Sequence, residues 1–179
     1  MSDKIKYGES YESIAEHIAP YIPHSTQTFA ISLYPVWWDK TITLYNRYEN
    51  PTTQVITWYK HIIPNCFVKF STTQISGGQI IYNSSSVIVR IPQNDIYKEY
   101  SAWINIPNVD MYNYFTLHTN DIIIVGAVDD VIDEYTAGKR STDLTDKYNQ
   151  LNKCVIIQNW QDNTGNGRTC PHYFISGGG

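Results

Sequence analysis

The residues in this chain that could do chemistry are few and scattered. Cys170 and His172 stand two apart in TCPHYFISGGG (169–179). A thiol beside an imidazole is the raw material of a nucleophile–base pair. Residues i and i+2 share one face of a strand, however, and Pro171 fixes the backbone between them. No acid nearby orients the imidazole. A strand carrying a small buried Cys and a hydrogen-bonded His accounts for the same residues. The alternative of an enzyme of unrecognised type requires His118, His172 and Asp121 to converge from distant segments. The five histidines (His17, His24, His61, His118 and His172) make no HxH or HExxH. The cysteines Cys66, Cys154 and Cys170 make no CxxC, so no zinc site is expected. Asp129, Asp130, Asp133 and Glu134 form an acidic group, yet their spacing is not that of a calcium loop. They read as a solvated patch or one facing a basic neighbour. GxSxG, GxGxxG and the P-loop are absent, and NTGNGR (163–168) reads as a hairpin turn. No catalytic residue, metal or cofactor is expected.

The composition says what must position these residues. The chain has 24 Ile, 16 Thr, 15 Tyr and 10 Val against 5 Leu and 6 Ala, which favours strands over helices. Hydrophobic residues make up 42% and charged ones 17%, enough to bury a core. The net charge of −4 and the absence of a basic block argue against phosphate binding as the main task. An odd cysteine count, no apolar leader at the N-terminus and no apolar run of membrane-spanning length place the protein, as an expectation, in a cytoplasm and in solution.

Along the chain, ESYESIAEHIA (9–19) has the helical spacing Tyr11, Ile14, Ala15, Ile18, and Pro20 and Pro23 stop it. Residues 1–38 read as an N-terminal helical arm and lead-in. Period two then takes over. Strands are expected at TFAISLY (28–34), TITLYNRY (41–48), QVITWYKHII (54–63), NCFVKF (65–70), QIIYN (79–83) and SSSVIVRI (84–91), with breaks at Pro64 and SGG (76–78). DIIIVGAV (121–128) is a continuous apolar run, as in a strand buried on both faces. STDLTDKYNQL (141–151) is a second helix, capped by Ser141 or Asp143 and lined by Leu144, Tyr148 and Leu151. KCVIIQNWQD (153–162) and TCPHYFIS (169–176) form a C-terminal hairpin. Seven to nine short strands without βαβ alternation imply a mainly β fold: a small antiparallel β-barrel or sandwich over residues 39–179, with one or two short helices. Residues 92–113 form a long irregular insertion, the kind of loop that is usually functional.

Aromatic residues outside the strands are the most distinctive feature. Trp37, Trp38, Tyr97, Tyr100, Trp103, Tyr112 and Tyr114 lie in or beside irregular segments. They fit a protein–protein interface, core packing, or a platform for sugar faces, and the residues alone leave all three open.

LYNRY (44–48), HTNDIIIVGAVDD (118–130) and DNTGNGRTCPHYFISG (162–177) together resemble small connector proteins of tailed phages. The second segment matches their pattern of a polar turn, Asp, apolar strand and Gly, with Asn120-Asp121 where Gly-Asp is common. The third resembles their C-terminal hairpin. The resemblance covers roughly residues 41–177, takes in uncharacterised proteins from phages of Gram-positive hosts and also head-closure (stopper) and minor capsid proteins of long-tailed phages, and excludes the first forty residues. It implies a non-enzymatic neck subunit of the virion, assembled in the host cytoplasm. It further implies a homo-oligomeric ring, six- or twelve-fold, that binds portal or adaptor and tail proteins and lets genomic DNA pass without specific binding or a membrane. Under that reading Trp37, Trp38, Tyr97, Tyr100, Trp103, Tyr112, His172, Tyr173 and Phe174 are interface residues, SGGG is held by a neighbour, and the Asp129–Glu134 group faces the lumen. A tail terminator or other tail or minor capsid protein, and a carbohydrate-binding module, are the alternatives.

Overall fold

Alternating β-branched and aromatic residues put this chain into strands, and the strands close on themselves. The computed structural model describes residues 34–77, 80–165 and 170–178, and only the backbone of 72–77 and 80–85. Six strands form a closed antiparallel barrel: β1 (Lys40–Glu49), β2 (Ile56–Gly77), β3 (Ile80–Pro92), β4 (Ile122–Val125), β5 (Cys154–Asn163) and β6 (His172–Gly178). Around the barrel the order is β1-β2-β3-β6-β5-β4, and β4 returns to β1 with Ile42 opposite Val125 and Tyr45 opposite Ile122. Two helices, α1 (Tyr100–Trp103) and α2 (Ser141–Asn149), lie in the connections with a 3-10 turn at Met111–Asn113. Among the described residues no helix is long and apolar enough to cross a membrane.

Among the described residues six strands stand where eight are expected, because two expected breaks are bends or pauses within single strands. Pro64 does not end β2. Lys40 faces Cys66 while Ile42 faces Ile63, so Pro64 and Asn65 oppose Thr41 alone in a bulge. Asn65 adopts φ 58°, a left-handed conformation that Asn tolerates better than most residues. Pro has no N–H to give a ladder, and a bulge is where a strand can spare one. Past the bend β2 leaves β1 and pairs with β3, and 79–83 and 84–91 fuse into that single strand. The expected helix at 9–19 and nearly all of the strand at 28–34 lie outside the described residues.

Three apolar clusters follow from the alternation. Ile42, Leu44, Ile63, Cys66, Val87, Val89, Ile91, Ile123, Val155, Ile157 and Ile175 fill the barrel, with Phe115, Leu117 and Tyr173. Tyr45, Ile122, Ile124 and Cys154 point outward and are covered by Ile132 and by Leu144 and Tyr148 of α2. β4 is therefore buried on both faces, which is why its sequence is an unbroken apolar run. Asp143 accepts the Arg140 N–H (3.0 Å) to cap α2, which ends at Asn149 and leaves Leu151 exposed rather than on the packed face. The third cluster is the insertion.

Gly177 and Gly178 are held as rungs of the chain's own barrel. Gly177 pairs with Val87 on one side and Ile157 on the other, and Gly178 pairs with Ile156. A Cβ on Gly177 would collide with the Ile156 carbonyl oxygen and stand 2.7 Å from Val155 Cγ1. Only glycine lets β5 and β6 approach this closely. Gly177→Ala should therefore destabilise the protein by about 1–3 kcal/mol, the usual cost of overpacking. Gly178→Ala meets only the movable Gln158 amide at 2.9 Å and should cost much less. Urea unfolding of the two variants side by side checks the difference.

Candidate functional site

The insertion between β3 and β4 folds onto one end of the barrel through its aromatic residues. A four-residue helix such as α1 has no stability of its own. It is held because Trp103 is fully buried against Tyr59 and Met111, with Tyr48, Tyr100, Ile106 and Tyr114 around them. The Trp103 and Tyr59 rings meet edge to face at 5.5 Å, and Trp103 Nε1–H donates to the Tyr114 carbonyl at 2.8 Å. Tyr100 stacks on the His118 ring at 4.0 Å. Ile104, Val109 and Tyr112 remain exposed on the outside of this clasp.

Below the clasp lies a buried polar knot. Asp121 Oδ2 accepts hydrogen bonds from Asn46 Nδ2 (2.8 Å) and the His118 N–H (2.9 Å), and Oδ1 accepts the Arg47 N–H (2.9 Å). Asn46 also donates to the Thr116 carbonyl (2.8 Å) and accepts the Thr116 N–H (3.2 Å), so its amide acts as a rung between β1 and the loop. Burial pushes the Asp121 carboxyl up to about 7, although the three donors and the Arg47 charge pull the other way. His61, inside the barrel near the Phe115 ring, is moved oppositely: burial lowers it to about 4, and its Nε2 meets no protein partner.

A strap closes another part of the rim. The Tyr34 hydroxyl donates to the Pro171 carbonyl (2.5 Å) and accepts the Gln93 N–H (3.0 Å). Trp38 is buried, stacked on Tyr34 and edge-on to His172 at 5.6 Å. Tyr34 and Trp38, from the expected lead-in segment, thus already pack on the barrel. His172 Nδ1–H donates to the Cys170 carbonyl at 2.7 Å, so the imidazole is held by the Cys170 backbone. His118 meets Asp121 through its backbone, its N–H donating to the carboxylate and its carbonyl accepting the Asp121 N–H (3.2 Å), and its ring bonds the Thr119 carbonyl. The imidazoles of His118 and His172 serve separate local networks.

The acidic group lies in the loop outside the barrel wall and holds that loop down. Asp130 is paired with Lys147 (2.8 Å) and accepts the Tyr148 hydroxyl (2.6 Å). The Lys147 ammonium is the main reason its carboxyl lies below the ordinary range. Asp133 accepts the Tyr135 N–H and the Thr136 hydroxyl, and Glu134 accepts Trp58 Nε1–H at 2.8 Å. Asp129 and Asp130 line a shallow cleft of about 370 Å³ with Lys139, Asp143 and Lys147. Among the described residues no three His, Cys, Asp or Glu side chains could hold a metal ion.

Of the aromatic candidates, Trp37 (66% exposed) and Tyr112 (58%) present real surface, while Tyr97, Tyr100, His172 and Phe174 are half-buried. Trp38, Trp103 and Tyr173 are core residues: filling the barrel and its rim leaves them no surface to offer a partner. Exposed Phe70, Val131 and Tyr135 were not singled out by the sequence, and neither were Asn46 and Thr116. Nothing in the local pattern marks a strand Asn whose amide turns inward.

Residues 37–178, from the strap to the end of β6, match the model of a family of unknown function, DUF6751. The chain belongs to this family. No curated protein and no solved structure matches the chain.

The two titrating groups give opposite stability slopes between about pH 4 and 7. Asp121 holds its proton more tightly when folded, so its contribution is greatest below pH 4 and is lost as pH rises through 7. His61 holds its proton less tightly, so its contribution is present above pH 6.5 and lost as pH falls through 4. His61→Leu should therefore become more stable on acidification from pH 7 to 4.5. Asp121→Asn, weakened by about 1–3 kcal/mol through a misplaced donor, should become less stable over the same range. Thermal melts of both variants against pH read this crossing.

Proposed function

We propose that this protein is a structural component of a tailed-phage virion, a neck subunit that closes the head in a ring between portal and tail. The observation that carries the reading is the physical sense of the pattern shared with connector proteins. Asn120 takes φ 74°, the left-handed turn for which Gly is common. Asp121 is the buried knot, Ile122–Ile124 are core on both faces, and Gly126 takes φ 120°, open only to glycine. Its N–H bonds the Thr41 carbonyl (2.7 Å) and its carbonyl accepts the Thr43 hydroxyl (2.7 Å) at the β1–β4 seam. A closed barrel with a rigid clasp is a suitable building block for a ring, in which one face of each subunit meets a different face of the next. The net charge of −4 suits a lumen through which DNA slides without sticking.

Light scattering after size exclusion tests this, with the protein alone and mixed with the portal protein of the same genome. A six- or twelve-fold ring, or a single chain that becomes part of one on the portal, is expected. A single chain indifferent to the portal overturns the reading. Glycan binding by that single chain would then favour the carbohydrate-binding alternative, and a ring that binds tail protein but not portal would favour a tail terminator.

A further inference from the structure

Every strand of the barrel is paired on both sides around the wall, but β2 and β3 run on past it. The last rung between β1 and β2 is Lys40–Cys66, and the last between β3 and β6 is Val87–Gly177. Beyond these, Ser71–Gly77 and Ile80–Ser86 continue to pair with each other for seven rungs, from Ser71–Ser86 to Gly77–Ile80. The result is a two-stranded ribbon projecting roughly 20 Å from the wall. Among the described residues neither of its outer edges meets another strand.

Three facts bear on what it meets. A lone two-stranded ribbon is marginal in water and gains stability from a third strand. Edges that must stay unpaired usually carry Lys, Pro or a bulge. This ribbon has none of them: no charged residue and no proline occurs from Phe70 to Val89, and its register is unbroken. Finally, copies of a chain with net charge −4 repel one another, and this neutral stretch is where two copies can approach at least electrostatic cost.

We propose that the Ser71–Gly77/Ile80–Ser86 ribbon joins one copy of this chain to the next by strand addition, the outer edge of β2 in one copy pairing with the outer edge of β3 in the next, the head-to-tail contact that a ring requires. Backbone hydrogen bonds supply the affinity, and the uncharged Ser, Thr, Asn and Gln positions keep the joint insensitive to salt. The inference rests on the ring reading and names the element that makes the ring.

The test uses the full chain in three forms: wild type, a variant with residues 73–84 replaced by Asn-Gly so that Thr72 and Ser85 remain the last rung, and Thr73→Lys, which keeps the ribbon but charges it. Melting curves show that the barrel is intact. Light scattering of the wild type should give a multiple of 20.6 kDa, alone or on the portal, and the shortened form should give a single chain under the same conditions. Thr73→Lys should weaken assembly at least tenfold in midpoint concentration. Hydrogen exchange should slow at 80–86 when the wild type assembles. A wild-type ring that survives shortening, or that leaves these amides unprotected, overturns the proposal and leaves the ring reading standing. A wild type that stays a single chain with and without portal overturns both. Protection at 80–86 that appears with portal while the copies remain apart assigns the ribbon to the portal and overturns the contact between copies.

Discussion

The barrel depends on a very short seam. β4 is four residues long, yet it must join β1 to β5 and close the sheet. Four rungs to β1 and three to β5 are little to hold a barrel shut. The buried Asp121 carboxylate completes the seam where the strand stops. It takes the Arg47 amide, which belongs to β1, and the His118 amide, which belongs to the incoming loop, and Asn46 ties the same loop through Thr116. On the β5 side the Asp121 carbonyl accepts the Ile157 N–H and Ile157 accepts the Asn120 N–H, at 2.9 Å each. One residue thus extends the ladder in both directions. A buried carboxylate is costly to desolvate, and three N–H donors offset that cost only if all stay in place. The loop conformation is fixed as a consequence, and with it the seating of the insertion above.

Much of this was legible in the residues. Alternation placed β1, β5 and β6 to within a few positions, the apolar run of β4 announced burial on both faces, and the closed barrel is one of the two architectures that the turn spacing allowed. The errors have physical causes. Pro64 was read as a stop because proline usually ends pairing, but a bulge with Asn65 in a left-handed conformation absorbs it. The expectation divides β3 between Asn83 and Ser84, whereas strand pairing is a backbone property and continues through that point. For the aromatic residues outside the strands the sequence leaves interface, core packing and a sugar platform all open. Trp103 shows how core packing arises there: an irregular segment can be pinned to a barrel end by one large side chain.

The strap and the acidic loop obey one rule that sequence patterns do not express. Tyrosine joins a ring that packs to a hydroxyl that bonds, and here the hydroxyls fasten loops to strands. Tyr45 on β1 reaches the Asp130 carbonyl at 2.8 Å, Tyr148 on α2 reaches the Asp130 side chain, and Tyr135 from the loop accepts the β2 Ile56 N–H at 3.2 Å. Tyr34 bridges the backbone at Gln93 and Pro171. Burial raises the phenols of Tyr45, Tyr97 and Tyr173 above their ordinary range, so these groups stay neutral and keep their donor protons. A chain with 15 tyrosines and 5 leucines has to assemble its outer layers in this way, from rings with polar tips instead of branched aliphatic side chains.

That economy explains how rigidity and surface are divided. Loops that carry Tyr, Trp and paired carboxylates are drawn onto the barrel, and their polar groups are largely consumed within the chain. The β2–β3 ribbon has no charged residue to pair, and among the described residues no strand lies along its outer edges. It is the one long element whose backbone extends past the wall among the described residues, and its sequence is the longest uncharged stretch of strand in the chain. Selection for a monomer acts against such an edge, since a single lysine would suppress unwanted pairing at little cost to the ribbon. Such an edge beside a tightly finished barrel fits the proposed continuation of the sheet by another chain.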